Sequence, residues 1–155
     1  MAEPVIRRPG EGGTVDNPLG GEQLTFKVRG EQTGGSLTVF ETVPPPGEGP
    51  PLHTHANEDE SLYVLEGEMR FKLGDELQAA PAGSFVFIPR GAPHTWQNVG
   101  DEPARMLVHF APSGMERFFD GFAALDGPDP RVFEVAGAEA GVDVVGPPLA
   151  QSDPV

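Results

Sequence analysis

Hydrophobic and polar positions alternate through the middle of the chain. Leu24, Phe26 and Val28 are separated by polar residues, and similar short segments follow one another as far as Phe110. Alternation with a period of two is the pattern of a strand with one buried face, and glycines or prolines end most of these segments. Short strands with turn signals every ~8–12 residues are typical of an all-β sandwich or barrel. We therefore predict a β-barrel over residues 23–112.

The pattern changes on either side of the barrel. Residues 1–22 are rich in glycine, proline and charge without periodicity, which predicts a loosely ordered N-terminal arm. After Pro112 the apolar positions follow a helical period, so residues 113–145 are predicted to form a helical segment packed on the barrel. Residues 146–155 are predicted to form a Pro-rich tail. The apolar stripe of the helical segment consists of Met115, Phe118, Phe119, Phe122 and Leu125.

Composition indicates a small, turn-rich domain and narrows its partners. The 155 residues are 37% hydrophobic and include 21 glycines and 18 prolines, which suits many tight turns. The formal net charge of −14 would repel nucleic-acid phosphates and anionic membrane surfaces, so we expect neither as a partner. There is no cysteine, which excludes disulfides and thiolate zinc sites. Because no stretch of ~18 apolar residues and no apolar leader is present, we expect a soluble cytoplasmic protein.

Four side chains follow the pattern of a metal site. His53 and His55 are two residues apart, and alternate residues of a strand share a face, so both imidazoles point the same way. Glu60 begins the next strand after a short turn, and His94 begins another after a Gly/Pro turn. Three imidazoles and a carboxylate suit Fe, Mn, Co, Ni, Cu or Zn better than Mg or Ca, and they leave positions open for water or substrate. The residues alone leave open a second interpretation, in which these are surface or capping histidines.

Glu60 differs from its acidic neighbours in its position relative to the strand. Glu58, Asp59 and Glu60 are consecutive, and three adjacent acids in a loop usually form a solvated face. Glu60 alternates with Leu62 and Val64, which places it on their inward face. We therefore predict Glu60 as the ligand, with Glu58 as the alternative.

Two segments match known sequence motifs. Residues 47–67 read G-x5-H-x-H-x4-E-x6-G, and residues 83–98 read G-x5-P-x-G-x2-H-x3-N. Both resemble the motifs of the cupin superfamily at every fixed position, and the short spacing between them is similar to that of bacterial single-domain cupins. The resemblance implies an all-β double-stranded β-helix, or jelly roll, with one divalent transition metal ion per chain, a small-molecule substrate and a homodimer. The metal ligands that it implies are His53, His55, Glu60 and His94.

The resemblance also implies an enzymatic function. Segments 50–55 and 63–68, and the tail from Gly146, are similar to small bacterial proteins described as quercetin-dioxygenase-like. We therefore expect a metal-dependent oxygenase acting on a small organic substrate, with Glu60 as the catalytic residue that serves as ligand and, if it detaches, as general base for a substrate hydroxyl. A metal-assisted isomerase, cyclase or lyase would need the same ligands. A non-catalytic binding or sensor module is the third hypothesis.

Large apolar residues near the motifs are candidates for a substrate pocket. Alternation places Met69 with Phe71, and Trp96 with His94, on inward faces. Because small-molecule pockets are themselves mostly apolar, ordinary core packing is the alternative for all of these residues. His109 falls on an outward position of its strand, so we do not predict it as a ligand. The predicted pocket residues are Met69, Phe71, Phe85, Phe87 and Trp96.

Overall fold

The structure, a computed structural model, describes residues 2–17, 21–124 and 131–155. Within those residues the chain forms eleven strands, three α-helices and a short 3-10 helix at Gly30–Gln32. The strands are β1 (Gly13–Asp16), β2 (Gln23–Val28), β3 (Thr38–Val43), β4 (Pro51–His55), β5 (Asp59–Glu66), β6 (Glu68–Leu73), β7 (Glu76–Pro81), β8 (Phe85–Ile88), β9 (His94–Asn98), β10 (Arg105–Ala111) and β11 (Val142–Pro148). The helices are α1 (Glu116–Ala123), α2 (Val132–Ala140) and α3 (Leu149–Ser152).

The strands form two antiparallel sheets around one hydrophobic core. One sheet has the order β1-β2-β3-β10-β5-β8, and the other has the order β11-β4-β9-β6-β7. The chain therefore changes sheet between β3 and β4, again between β4 and β5, and repeatedly thereafter. Alternation between two antiparallel sheets is the topology of a jelly roll, which confirms the predicted double-stranded β-helix.

Alternating burial along the strands places the core between the sheets. In β5 the side chain of Leu62 is fully buried, whereas the neighbouring Tyr63 is 42% exposed. The six-stranded sheet contributes a cluster of phenylalanines to the core: the ring centroid of Phe40 lies 5.5 Å from that of Phe26 and 5.9 Å from that of Phe110. Such rings bury large apolar surfaces, so this cluster is a main source of barrel stability.

Helix α1 packs against the same core. The ring of Phe119 in this helix lies 4.9 Å from the ring of Phe40, measured between centroids. Arg29, which follows β2, donates two hydrogen bonds to the carboxylate of Asp120 at 3.0 and 2.9 Å. A bidentate contact of this kind fixes geometry as well as charge, so it holds the helix against the end of β2.

The predicted apolar stripe of α1 is described in part. Met115, just before the helix, and Phe118 within it are buried. The side chain of Phe122 and residue Leu125 lie outside the described residues. Of the helices that the structure describes, none combines the length and hydrophobicity needed to span a membrane.

Two strands lie where the sequence indicated none. Strand β1 falls within the predicted N-terminal arm and pairs with β2, with Val15 opposite Leu24. Strand β11 crosses the predicted boundary between the helical segment and the tail, and it pairs with β4, with Val144 opposite His53. Both strands are at sheet edges and bury few side chains, so they carry no strong alternation of apolar and polar residues. The homodimer stays a prediction.

Two residues of the sequence motifs that are not predicted metal ligands have structural roles. Gly67 has a φ of +96°, and a Cβ atom there would lie 2.7 Å from the Cβ of Ala104, so only glycine fits this position. Asn98 donates hydrogen bonds from Nδ2 to the carbonyl oxygens of Pro44 and Glu102, at 3.0 and 2.8 Å. These contacts stabilise the loops at the end of β9.

Candidate metal centre

Strands β4, β5 and β9 bring four side chains together inside the barrel. β4 places His53 and His55 on its buried face, β5 contributes Glu60, and β9 begins with His94, which lies opposite His53 across the strand pair. All four residues are buried, and one potential ligand atom from each lies within 4.8 Å of the others. The residues predicted as ligands therefore form a cluster that could hold a metal ion.

Hydrogen bonds to the backbone orient two of the imidazoles. Nδ1 of His53 lies 2.8 Å from the carbonyl oxygen of Pro51, and Nδ1 of His94 lies 2.9 Å from that of Ala92. Because a carbonyl only accepts hydrogen bonds, Nδ1 of each ring carries a proton, which leaves the lone pair of a neutral His53 ring on Nε2. Metal-binding histidines commonly have such a second hydrogen bond, which fixes the tautomer and the ring orientation.

His55 provides a test of whether the cluster fits a cation. Its ring is buried, and neither ring nitrogen has a well-aligned hydrogen-bond partner. Nε2 of His55 lies 3.2 Å from Oε2 of Glu60, which is close enough for electrostatic attraction. A buried polar atom without a partner costs roughly 1–3 kcal/mol. Coordination of a cation by one of these nitrogens would remove the cost for that atom, so the residues present fit a metal ion.

The protonation states of the cluster also suit a metal ion. Burial alone would raise the pKa of Glu60, but contacts with His55 and His94 outweigh burial and hold that pKa well below its usual range. Burial, together with the neighbouring His94 and His55, lowers the pKa of His53 to about 3. At neutral pH the carboxylate is therefore ionised and the His53 imidazole is neutral, which are the forms that bind metals.

His94 is the member of the cluster that holds a proton most tightly. Burial lowers its pKa, but the hydrogen bond with Glu60, 2.9 Å from Nε2, outweighs burial and raises the pKa. A metal ion would compete with this proton for Nε2, so metal affinity should increase as the pH rises.

The donor set favours first-row transition ions, and Glu58 is not part of it. Three nitrogens and one carboxylate oxygen suit several such ions, whereas Ca and Mg prefer oxygen ligands. Glu58, the alternative ligand, is buried but does not belong to the cluster, and burial raises its pKa. His109 is half-buried on the opposite face of β10 from Val108, and it also lies outside the cluster, as predicted.

Two adjoining cavities lie beside the cluster. The inner cavity, which His53, His55 and Glu60 help to line, has a volume of about 50 Å³, enough for one or two water molecules. The outer cavity has a volume of about 710 Å³, which is within the range of small-molecule pockets. Because the two cavities share lining residues, a ligand in the outer cavity would lie next to the inner cavity and the cluster. The residues that line both cavities are Asn17, Glu22, Pro50, Trp96 and Val142.

The predicted pocket residues divide into three groups. Trp96 lines both described cavities. The prediction is wrong for Phe85 and Phe87, which are 64% and 56% exposed because the register of β8 against β5 turns them to the outer face of the sheet. Met69 and Phe71 are almost fully buried in the core and line neither described cavity. For these two the alternative interpretation, ordinary core packing, describes the structure.

Glu22 is a cavity residue that the sequence analysis missed. It precedes β2, at the end of the predicted arm, and lines both cavities. Thr42 Oγ1 donates a hydrogen bond to its carboxylate, and Asn17 makes a second side-chain hydrogen bond. Burial raises the pKa of Glu22 to about 7, although both hydrogen bonds lower it; the charge of Glu60 raises it further. No local sequence pattern distinguishes this glutamate from exposed acids.

The raised pKa of Glu22 predicts a pH-dependent stability difference in the variant Glu22→Gln. The folded state holds the Glu22 proton more tightly than the unfolded state, so wild-type stability falls as the pH rises from about 4.5 through about 7. Glutamine does not titrate. We expect the stability of the variant relative to wild type to increase by about 2–3 kcal/mol between about pH 4.5 and pH 8.

Urea unfolding of chelator-treated protein at both pH values measures this difference. Glu76→Gln, on the exposed strand β7, is the matched control, and we expect it to show no comparable change. A constant difference between Glu22→Gln and wild type across this range would mean that the Glu22 carboxyl is not desolvated as described.

A comparison with protein families finds one match. The Cupin_2 model, described as a cupin domain, matches residues 39–110. The polyketide cyclase RemF from Streptomyces resistomycificus has a similar fold: the TM-score is 0.59 at 23% sequence identity, with 73% of this chain and 81% of that chain covered.

Curated proteins with similar sequences include proteins of different activities. Polyketide synthase CurC from Streptomyces cyaneus is 39% identical over 67 residues, which cover 43% of this chain and 44% of that protein. Quercetin 2,3-dioxygenase from Bacillus subtilis (strain 168) is 30% identical over 95 residues, which cover 61% of this chain and 27% of that protein. The chain thus spans less than half the length of each of these relatives.

Proposed function

Residues 39–110 form a cupin domain, and on that premise we propose that the chain is a metal-dependent oxygenase acting on a small organic substrate. The observation that carries this proposal is the four-residue cluster beside an apolar cavity. Catalytic metal sites keep coordination positions for substrate, and a cavity next to the ligands provides the space that these positions need.

The proposed reaction gives each residue of the cluster a role. His53, His55, Glu60 and His94 would hold a divalent transition metal ion, which would supply Lewis acidity and, for redox-active ions, electron transfer with O2. If Glu60 detaches from the metal, its Oε2, the oxygen that lies 2.9 Å from His94 Nε2, would accept the proton of a substrate hydroxyl. The low pKa of Glu60 keeps this carboxylate ionised at neutral pH, but it also makes the carboxylate a weak base, so the shift supports the role of Glu60 as a metal ligand more than its role as a base.

The walls of the inner cavity would exclude bulk water from the substrate. Phe40, Phe110 and Phe118 line it, and all three are at most 3% exposed. A dry, apolar wall strengthens the electrostatic contacts of the Glu60 carboxylate, because little water competes for them. The similarity to quercetin 2,3-dioxygenase supports an oxygenase in particular.

A metal-assisted cyclase, or a related isomerase or lyase, is the second candidate. The observation that favours it is the 39% identity to polyketide synthase CurC, together with the fold shared with the polyketide cyclase RemF. Polarisation of a substrate carbonyl by a metal needs the same ligands but no O2. Oxygen consumption therefore separates the two candidates.

Oxygen uptake with quercetin as the probe tests the oxygenase. We expect protein loaded with Fe²⁺, Mn²⁺, Co²⁺, Ni²⁺ or Cu²⁺ to consume about one O2 per quercetin with at least one of these ions. Chelator-treated protein and the same ions without protein are the controls. Conversion of a polyphenolic probe without O2 uptake would favour the cyclase. No conversion with any ion bound would favour a non-catalytic binding module.

A further inference from the structure

Glu22 is a carboxyl in the cavity wall that does not belong to the four-residue cluster of His53, His55, Glu60 and His94. It lies on the wall shared by the outer and inner cavities. Thr42 in β3 and Asn17, the residue directly after β1, both hydrogen-bond its side chain, so the orientation of the carboxyl is fixed. A carboxylate has about four positions for accepting hydrogen bonds, so these two partners from the described part of the chain leave room for a third from a ligand.

Trp96 lies on the same wall and offers an aromatic surface to the ligand. Its side chain is 8% exposed and lines both cavities, as Glu22 does. Aromatic rings bind flat apolar groups by stacking or edge contacts. An aromatic surface beside a fixed carboxyl therefore suits an aromatic ligand that carries a hydroxyl group.

The charges around the outer cavity select against anionic ligands. Glu48, Glu134 and Asp143 line it in addition to Glu22, and no lysine or arginine is among the described residues lining either cavity. An anion would meet like charges there without a basic partner, in a chain whose formal net charge is already −14. The cavity thus favours ligands without a carboxylate or phosphate group.

We propose that Glu22 is a second polar anchor of this site, which hydrogen-bonds a hydroxyl group of an uncharged aromatic ligand lying against Trp96. The other end of the ligand then faces His53, His55 and Glu60. Glu22 orients the ligand and discriminates between ligands, and it does not bind the metal. The inference rests on the proposed function, because it uses the same cavity as the substrate site.

Catechol and protocatechuate are matched probes for this anchor. Both carry two neighbouring hydroxyls on one ring, and protocatechuate adds a carboxylate. Trp96 is the only tryptophan of the chain, so its fluorescence reports binding at this wall. The titration uses protein loaded with Zn²⁺ under nitrogen, which excludes oxidation of the probes and makes the readout independent of turnover.

We expect wild-type protein to bind catechol about 10-fold more tightly than protocatechuate, because like charges repel the carboxylate. At about pH 8, where the Glu22 carboxyl is mostly ionised, Glu22→Leu should weaken catechol binding about 10-fold, which is the effect of losing one hydrogen bond to a charged group. Glu22→Gln keeps a polar group of the same shape and should recover most of this loss. Glu76→Leu, an equivalent change on the exposed face of β7, should leave catechol binding unchanged.

Zinc content, measured for each variant, shows whether the four-residue cluster can still bind the ion. If Glu22→Leu retains zinc and binds catechol as tightly as wild type, the proposed role of Glu22 as an anchor is wrong, whatever the result of the oxygen-uptake assay. Tighter binding of protocatechuate, or no catechol binding by wild type, would also overturn the proposal. If the Glu22 variants behave as expected and no ion supports oxygen uptake, the role of Glu22 as an anchor is supported and the proposed oxygenase activity is contradicted.

Discussion

Replacing His94 with alanine is expected to remove the bound metal almost completely. The change deletes one of three imidazoles in the cluster and leaves the Glu60 carboxylate buried without its 2.9 Å partner. Loss of a residue that only supports a ligand typically reduces metal affinity ~10–100-fold, and loss of a ligand itself should exceed this. Elemental analysis should therefore give about one metal equivalent per wild-type chain and close to none for His94→Ala.

His109→Ala is the matched control for this experiment. It also removes an imidazole, but one that lies outside the cluster, on the face of β10 opposite to the buried Val108. Metal content should therefore stay at the wild-type value. His53→Ala should behave like His94→Ala, because its ring belongs to the same cluster. Equal metal content in His94→Ala, His109→Ala and wild type would contradict the assignment of the site.

Removal of the metal should also lower the stability of those proteins in which the four-residue cluster is intact. A ligand that binds only the folded state stabilises it by about 4 kcal/mol when present at ~1,000 times its dissociation constant. Chelator should therefore lower the Tm of wild type and His109→Ala, and it should have little effect on His94→Ala. A chelator effect of the same size in all three proteins would show that the stabilising ion binds elsewhere.

The barrel, and the faces on which His53, His55 and Glu60 lie, follow from local patterns in the sequence, whereas the complete ligand set with His94 came from the resemblance to cupins. In β5, alternation alone assigns Glu60 and Leu62 to the inward face and Tyr63 to the outward face, and the structure agrees. His53 and His55 follow the same rule on β4. These assignments succeed because the side chains of a strand alternate with a period of two, whatever its neighbours are.

The pocket could not be predicted in the same way. The strand β8 has only four residues, and a shift of one position exchanges its two faces. The turn before β8 and its pairing with β5 set that register, and they turn Phe85 and Phe87 outward. Glu22 was missed for a related reason, because its place in the cavity wall involves contact with Thr42 of another strand, which the neighbours of Glu22 in sequence do not reveal.

Phe71→Ala distinguishes core packing from a pocket role. The ring of Phe71 is 1% exposed and lies on β6 opposite Trp96 of β9, within the hydrophobic core. Truncation of a buried phenylalanine to alanine leaves a cavity and typically costs about 3–5 kcal/mol. For a domain of this size we expect the Tm to fall by about 10 °C. Thermal unfolding followed by circular dichroism measures the change.

Phe87→Ala is the matched control, because it removes the same ring from an exposed position of β8 and should change stability by less than about 1 kcal/mol. Metal content should be unchanged in both variants, since neither residue belongs to the cluster. Below its Tm, Phe71→Ala should still bind catechol with near wild-type affinity, because Phe71 lines neither described cavity. The opposite result, wild-type stability with catechol binding lost, would restore Phe71 as a pocket residue and would mean that the ligand reaches deeper between β6 and β9 than the cavities beside the cluster indicate.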